Sequence, residues 1–170
     1  SEGGDVMAEP IPGNLLDLET QTVPEEHDLA NWTTTAGVAE WFGGSALVVP
    51  EGVPGIIGVT SDGAGDTVLT MVNPVPVTSG AVYRGYGYVA YEGRTATITA
   101  EIHWYNDSDA EVGDPATLDW TVEPNPDQGN TAIFQAFVTG KAPAGATAAR
   151  LTFRASHDAA GEYTFYDEFY

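Results

Sequence analysis

The feature that most constrains the fold of this chain is a series of short apolar runs separated at regular intervals by turn residues. Runs rich in Val, Ile, Thr and Tyr alternate with clusters of Gly, Pro, Asn and Asp. Candidate strands are NLLDL, SALVV, DTVLTMV, VYRGYGYVAY, TATITAEIHWY, ATLDWTV, AIFQAFVT, AARLTFRA and YTFYDEFY. Because no sustained 3.6-residue period follows the N-terminal segment, the pattern predicts an all-β fold: an antiparallel β-sandwich, a jelly roll of about nine strands.

The length suits one domain. A chain of 170 residues can bury a core of its own, and no linker or internal repeat divides it. Residues 1–12 are polar and marked by Gly and Pro, so we expect a flexible N-terminal arm or a docking segment there. Residues 13–170 are expected to form the jelly-roll domain.

The charge argues against two classes of partner. The chain carries 25 acidic and 5 basic residues, a formal net charge of −20, so phosphate backbones and anionic membranes would repel it. We expect no nucleic acid and no membrane as partners, whereas hard cations and neutral sugars suit the composition. Cysteine is absent, which excludes disulfides and thiolate chemistry and leaves the compartment open.

The stretch EIHWYNDSD, residues 101–109, divides into core and surface by strand alternation. Successive side chains of a strand point to opposite faces. One face of this strand is apolar and ends in Trp104, which we expect in the core. The other face carries Glu101, His103 and Tyr105, which are expected to point outward together.

The same alternation places basic side chains outward on two more strands. In AARLTFRA the outward residues are Arg150, Thr152 and Arg154, and in VYRGYGYVAY Arg84 shares the outward face with two tyrosines. Three of the 5 basic residues thus lie beside hydroxyl or aromatic groups, which favours a binding surface. Cross-strand pairing that serves only sheet stability is the alternative.

Several segments, in order, resemble the carbohydrate-binding modules of families 4, 9, 16 and 22, which are galactose-binding-like jelly rolls. GNLLDLETQTVPEEHDLANW is similar to their opening, GGSALVV to the next strand and VPVTSGAVYRGYGYV to a turn and strand. IHWYNDSD resembles a strand ending in Trp-Tyr-Asp, KAPAGATAARLTF a turn and strand, and YTFYDEFY the closing strand. The resemblance covers about residues 13–170 and implies a non-catalytic glycan-binding domain.

The combination of NLL, WYN and APAGA especially resembles domains in minor tail proteins of phages that infect actinobacteria. This implies a virion tail protein whose domain contacts a cell-surface glycan of the host. Other tail proteins would then be partners, and a homo-oligomer stays open. Two alternatives remain: a structural domain of the tail that binds no sugar, and a carbohydrate-binding module of a secreted glycoside hydrolase.

In these modules sugar binds on the concave sheet, which the resemblance assembles from residues 67–72, 97–105, 116–121 and 148–155. A flat ring stacks on the apolar face of a pyranose, and guanidinium and carboxylate groups hydrogen-bond to vicinal hydroxyls. The implied carbohydrate-binding residues are Glu101, His103, Tyr105, Arg150, Thr152 and Arg154, with Trp41, Phe42 and Trp120 as a rim or as core.

The family usually holds a structural calcium ion, and the resemblance implies ligands for Ca²⁺ here. They are Glu25, Asp167 and a backbone oxygen near Ser45, with Glu19 or Asp17 as substitutes for Glu25. Carboxylates and carbonyls are the hard oxygens that calcium takes. The acidic stretch NDSDAEVGD lacks the glycine and the closing acid of an EF-hand, so we interpret it as a plain turn.

An enzyme is not favoured. GGSAL is not a Gly-x-Ser-x-Gly elbow, because Leu47 stands at the second glycine position. A glycosidase needs two carboxylates that flank the bond. Glu101 is alone on its strand face, and Asp119 is its one candidate partner across the sheet. We therefore expect no catalytic residues.

Overall fold

The computed structural model describes residues 15–16, 29–43, 55–91, 96–122, 132–167 and 169–170. Within these ranges the chain forms strands and no helix, so none of this part offers a helix able to span a membrane. The strands are β1 (Trp32–Ala36), β2 (Val38–Gly43), β3 (Gly55–Thr60), β4 (Gly65–Met71), β5 (Val75–Pro76), β6 (Val82–Tyr91), β7 (Ala96–Tyr105), β8 (Ala116–Val122), β9 (Ala132–Lys141), β10 (Ala148–His157) and β11 (Tyr163–Asp167).

The strands form two antiparallel sheets with the core between them. One is a 6-stranded sheet in the order β1-β4-β10-β7-β8, with β5 paired to β10. The other is a 5-stranded sheet in the order β2-β3-β11-β6-β9. The predicted antiparallel sandwich is confirmed. The four segments expected to share one sheet do so, as β4, β7, β8 and β10.

The strands β1, β2 and β3 were not among the predicted ones. The chain passes from β1 in one sheet to β2 in the other through Gly37 alone, whose φ is 84°. A Cβ there would lie 2.7 Å from the Thr67 side chain and 2.8 Å from the Thr60 carbonyl oxygen, so the corner requires glycine. The glycine also interrupts the alternation of polar and apolar residues, so the sequence pattern did not predict either β1 or β2.

Two predicted segments fall largely outside the described residues. SALVV lies outside them entirely, and so does the N-terminal arm, residues 1–12. Of NLLDL only Leu15 and Leu16 are described, and neither lies in a strand.

The inward face of β7 is fully buried, as its alternation predicts. It consists of Ala96, Ile98, Ala100, Ile102 and Trp104, of which the most exposed is 4% exposed. Phe153 of β10 packs beside it and lies over Gly87 of β6, where a Cβ would be 2.9 Å from the phenyl ring. Since β7 and β10 share this core, the register of their outward side chains is fixed.

Candidate functional site

The outward side chains of β7 and β10 stand on one side of the sheet, which we call the polar face; it comprises Glu101, His103, Tyr105, Arg150, Thr152 and Arg154. Two of them are buried by their neighbours, Glu101 and Thr152, and the Thr152 hydroxyl lies 2.7 Å from that of Thr70. The strands are direct neighbours, and their register sets Arg150 opposite His103 and Thr152 opposite Glu101. The sequence placed these six residues together, and the structure brings them together.

His103 is held between two carboxylates. Its Nε2 lies 2.7 Å from Oε2 of Glu101, and its Nδ1 lies 2.5 Å from Oε1 of Glu111. Both ring nitrogens can donate only in the protonated imidazole. The hydrogen bond to Glu101 raises the pKa of His103 above its ordinary 6.5, although burial opposes the shift.

Glu101 is the negative centre of the polar face. Its side chain is only 8% exposed. The hydrogen bond from His103 lowers the pKa of Glu101 below its ordinary 4.5, with burial opposing and Arg154 assisting. Glu101 therefore stays ionised and acts as a hydrogen-bond acceptor.

Arg154 extends this charged network towards β4. Its Nε lies 3.2 Å from Oε1 of Glu101, and its Nη1 lies 3.8 Å from Oδ2 of Asp66. The Arg154 side chain is 37% exposed, against 20% for His103 and 16% for Arg150. Of these three cations, Arg154 is thus the most accessible to a ligand.

Arg150 is fixed at the opposite end of the polar face. Its Nη1 and Nη2 donate to the two carboxylate oxygens of Asp109 at 2.9 and 3.3 Å, and its Nε donates to the Val72 carbonyl at 3.2 Å. The guanidinium carbon lies 4.4 Å from the ring centroid of Tyr105. Arg150 therefore covers one face of that ring, so a sugar would meet the stacked pair or the opposite ring face.

The structure places the two candidate tryptophans of the rim against the core. Trp41 lies on β2 in the other sheet and packs against the core. Trp120 lies on β8 opposite Ile98, an inward residue, and also packs against the core. Phe42 contacts the edge of Phe165 in the 5-stranded sheet. Neither tryptophan faces outward with Tyr105, so both serve packing.

Only one side-chain ligand of the implied calcium site lies within the described residues. Asp167, the last residue of β11, is 2% exposed. A carboxylate buried so deeply needs a charge partner or a cation, and calcium takes such oxygens. The other implied ligands all lie outside the described residues: Glu19, Glu25, Ser45 and the substitute Asp17. Within the described part, no three His, Asp or Glu side chains are grouped to hold a metal, and calcium stays a prediction.

Glu101 does not have the environment of a glycosidase's catalytic acid. The catalytic acid of such an enzyme needs a raised pKa. His103 instead lowers the pKa of Glu101. The candidate partner Asp119 accepts a hydrogen bond from the Thr99 hydroxyl at 2.8 Å. Glu101 is thus an ionised hydrogen-bond acceptor and not a catalytic acid.

Sequence reasoning missed two residues of this site. The turn containing Asp109 and Glu111 was interpreted as plain surface, yet Asp109 binds Arg150 and Glu111 binds His103. A bridge between Tyr105 and Glu111 shows that the chain folds back along β7. Acids directly after a strand with an outward histidine were the available signal.

No protein-family model matches the sequence, and no curated protein sequence does. Solved structures do match the fold. The enzymatically active domain of tailspike protein 4 from bacteriophage CBA120 gives a TM-score of 0.63 at 13% identity, over 92% of this chain and 21% of that one. TmCBM61, solved with β-1,4-galactotriose, gives 0.56 at 12% identity, over 86% and 90%. The CBM22-1 xylan-binding domain of Paenibacillus barcinonensis Xyn10C gives 0.56 at 13% identity, over 85% and 86%.

The domain has the fold of carbohydrate-binding modules. It spans most of the isolated modules TmCBM61 and CBM22-1 but only about a fifth of the tailspike chain. Sequence identities of 12–13% leave the fold as the shared property.

Proposed function

We propose that this chain is a non-catalytic glycan-binding domain that binds sugar on the polar face. The observation that carries the proposal is the polar face itself. Guanidinium, imidazole, carboxylate, hydroxyl and phenol groups stand in register on two neighbouring strands of a fold shared with carbohydrate-binding modules. A surface that served only solubility would not need them linked by hydrogen bonds.

The chemistry of the polar face suits a neutral glycan. Arg154 offers N–H donors, and the exposed carboxylate of Asp66, 3.8 Å from its Nη1, offers acceptor oxygens beside it, a combination that matches vicinal hydroxyls. The stacked Arg150–Tyr105 pair offers a flat surface for a sugar ring. Because exposed acids such as Asp66 and Asp109 flank these groups, an acidic polysaccharide would be repelled.

We further propose that the domain belongs to a phage minor tail protein, with the tail tip of the virion as its location and a host cell-surface glycan as its ligand. The tail-protein resemblance of NLL, WYN and APAGA supports this role. The shared fold with a domain of a phage tailspike is compatible with it. Other tail proteins, and further copies of this chain, are the proposed partners, and Ca²⁺ held by Asp167 and the N-terminal acids is the proposed structural ion.

A carbohydrate-binding module of a secreted glycoside hydrolase is the second candidate. A specific observation favours it: the xylan-binding domain of Xyn10C matches this chain over 86% of its own length. Both candidates share the polar face and differ in the protein that carries it. A structural tail domain without affinity for sugar is the third possibility, and it predicts no binding at all.

Affinity electrophoresis tests the proposal. The protein is run through native gels that contain soluble xylan, β-1,4-galactan or polygalacturonate, each beside a gel without polysaccharide. We expect retardation by a neutral polymer and none by the acidic one. Pull-down with purified actinobacterial cell walls is the arm that tests the tail role. No retention in any arm would favour the structural domain.

A further inference from the structure

The turn after β7 is closed tightly by its own hydrogen bonds. The amide of Asn106 donates to the Ala110 carbonyl at 2.9 Å, and the amide of Asp109 donates to the Asn106 carbonyl at 3.0 Å. The side-chain oxygen of Asn106 accepts from the amides of Ser108 and Ala110 at 2.9 and 3.1 Å. This network fixes the backbone of the turn independently of the Asp109 side chain.

Asp109 occupies a backbone conformation that suits glycine better than aspartate. Its φ is 57°, and within the described ranges no other residue apart from glycine has a positive φ. Most L-residues adopt this left-handed region with strain, aspartate and asparagine adopt it with less strain, and glycine adopts it freely. Strained residues of this kind concentrate at functional sites. The turn therefore keeps an aspartate where a glycine would fit the backbone better.

The side chain of Asp109 supplies a reason. Its two oxygens accept from both terminal nitrogens of Arg150, an arrangement that fixes the plane of the guanidinium. The Val72 carbonyl fixes the third nitrogen, and the guanidinium then lies 4.4 Å from the centroid of Tyr105. Without the carboxylate, Arg150 would regain rotamer freedom at the place where a sugar ring would stack.

We propose that Asp109 is a positioning residue of the glycan site, one that orders Arg150 over Tyr105 before the ligand arrives. The inference rests on the proposed function. An alternative role is structural, in which the Asp109–Arg150 pair only stabilises the turn. The two roles predict different effects of a glycine at position 109 on stability and on glycan binding.

Asp109→Gly separates the two roles. The substitution relieves the strained φ and removes the carboxylate, so we expect an unchanged or higher melting temperature together with weaker glycan binding. Glycan affinity is expected to fall about two- to tenfold, which corresponds to the cost of ordering one long side chain on binding. Asp109→Asn tolerates the same φ and keeps one acceptor oxygen, so its affinity is expected to lie between those of wild type and Asp109→Gly.

Asp107→Gly is the matched control, because it removes the same charge from the same exposed turn. We expect it to bind glycan as wild type does. The probe is soluble xylan or galactan in the native gel, whichever retards the wild type. The NMR shifts of the Arg150 side chain, which the ring current of Tyr105 displaces, give a readout without glycan, and Asp109→Gly should move them towards values for a solvated arginine.

The outcomes separate the inference from the proposed function. Equal retardation of wild type and Asp109→Gly, or unchanged Arg150 shifts in the variant, overturns the positioning role and leaves the proposed function standing. A loss of affinity in Asp109→Gly that only follows a lower melting temperature also overturns it, in favour of the structural role. Wild-type protein that no polysaccharide retards overturns both.

Discussion

The Nε2 atom of His103 lies 2.7 Å from Oε2 of Glu101, two residues earlier on the same strand. Glu111 approaches the other ring nitrogen, Arg154 approaches Glu101, and Arg150 stands opposite His103 on β10. When protonated, the imidazole is an internal cation of the polar face, held by two carboxylates and flanked by two guanidinium groups.

This arrangement predicts how stability depends on pH. The pKa of His103 is raised on folding, so its contribution to the free energy of unfolding is complete below about pH 6.5 and is lost as pH rises through the raised pKa. The pKa of Glu101 is lowered, so its contribution is complete above about pH 4.5 and is lost as pH falls through the lowered pKa. Their combined contribution is greatest between these two values.

The variant His103→Gln measures how much the histidine contributes to this pH dependence of stability. Melting temperatures of wild type and variant are recorded from about pH 5 to about pH 9. We expect the wild type to be more stable by the largest margin near pH 6, with the margin shrinking towards alkaline pH. A margin that stays constant across the range would show that the imidazole is not protonated between the two carboxylates.

The alternation of β7 predicts opposite results at two neighbouring aromatic residues. Trp104 is 1% exposed, so Trp104→Ala should lower the free energy of unfolding by roughly 3–5 kcal/mol, the usual cost of deleting a large buried aromatic side chain. Tyr105→Ala loses mainly its contact with Arg150, about 0.5–1 kcal/mol. Chemical denaturation measures both, and the reverse order would invert the assignment of the two faces.

The face assignment could be derived from sequence because period-2 alternation is local. It placed Glu101 on the outward face of its strand and the core residues Ile98 and Trp104 on the inward face, and it placed Arg154 outward on another strand. That the two strands share one sheet came from the resemblance to carbohydrate-binding modules, and the pairing of β7 with β10 confirms it. Turn residues are also a local signal, and they predicted where β6 to β11 begin and end to within a few residues.

The rest of the site could not be derived from the sequence, because it depends on contacts between distant parts of the chain. Trp120 was a candidate for the rim because aromatic residues suit both sugar and core, and only its pairing with Ile98 shows it facing inward. Asp109 and Glu111 were missed because the folding back of their turn brings them to Arg150 and His103. Acids in a turn resemble ordinary solvated residues until those partners are known.

Calcium should raise the melting temperature if the implied site is formed. A ligand that binds only the folded state stabilises it by mass action, about 2.7 kcal/mol at a hundredfold excess over Kd. The melting temperature is compared with excess chelator and with saturating Ca²⁺, for wild type and for Asp167→Asn. We expect a calcium-dependent increase in wild type that the variant lacks. Identical curves for wild type under both conditions would exclude the site.

If glycan binds on the polar face, two arginine variants on opposite sheets should differ in affinity. Arg154→Ala removes the most exposed of the three cations on that face. Arg84→Ala removes an exposed arginine on β6 in the other sheet, whose guanidinium carbon lies 4.3 Å from the centroid of Phe137. The two variants carry the same net charge, so their mobilities in a gel without polysaccharide provide a common reference.

The measurement is retardation in a native gel that contains the neutral polysaccharide bound by wild type. We expect Arg154→Ala to bind about tenfold more weakly, the effect of losing one or two hydrogen bonds to sugar hydroxyls, and Arg84→Ala to bind as wild type does. Retardation that survives in Arg154→Ala and is lost in Arg84→Ala would contradict this expectation and place the site on the outer face of the 5-stranded sheet.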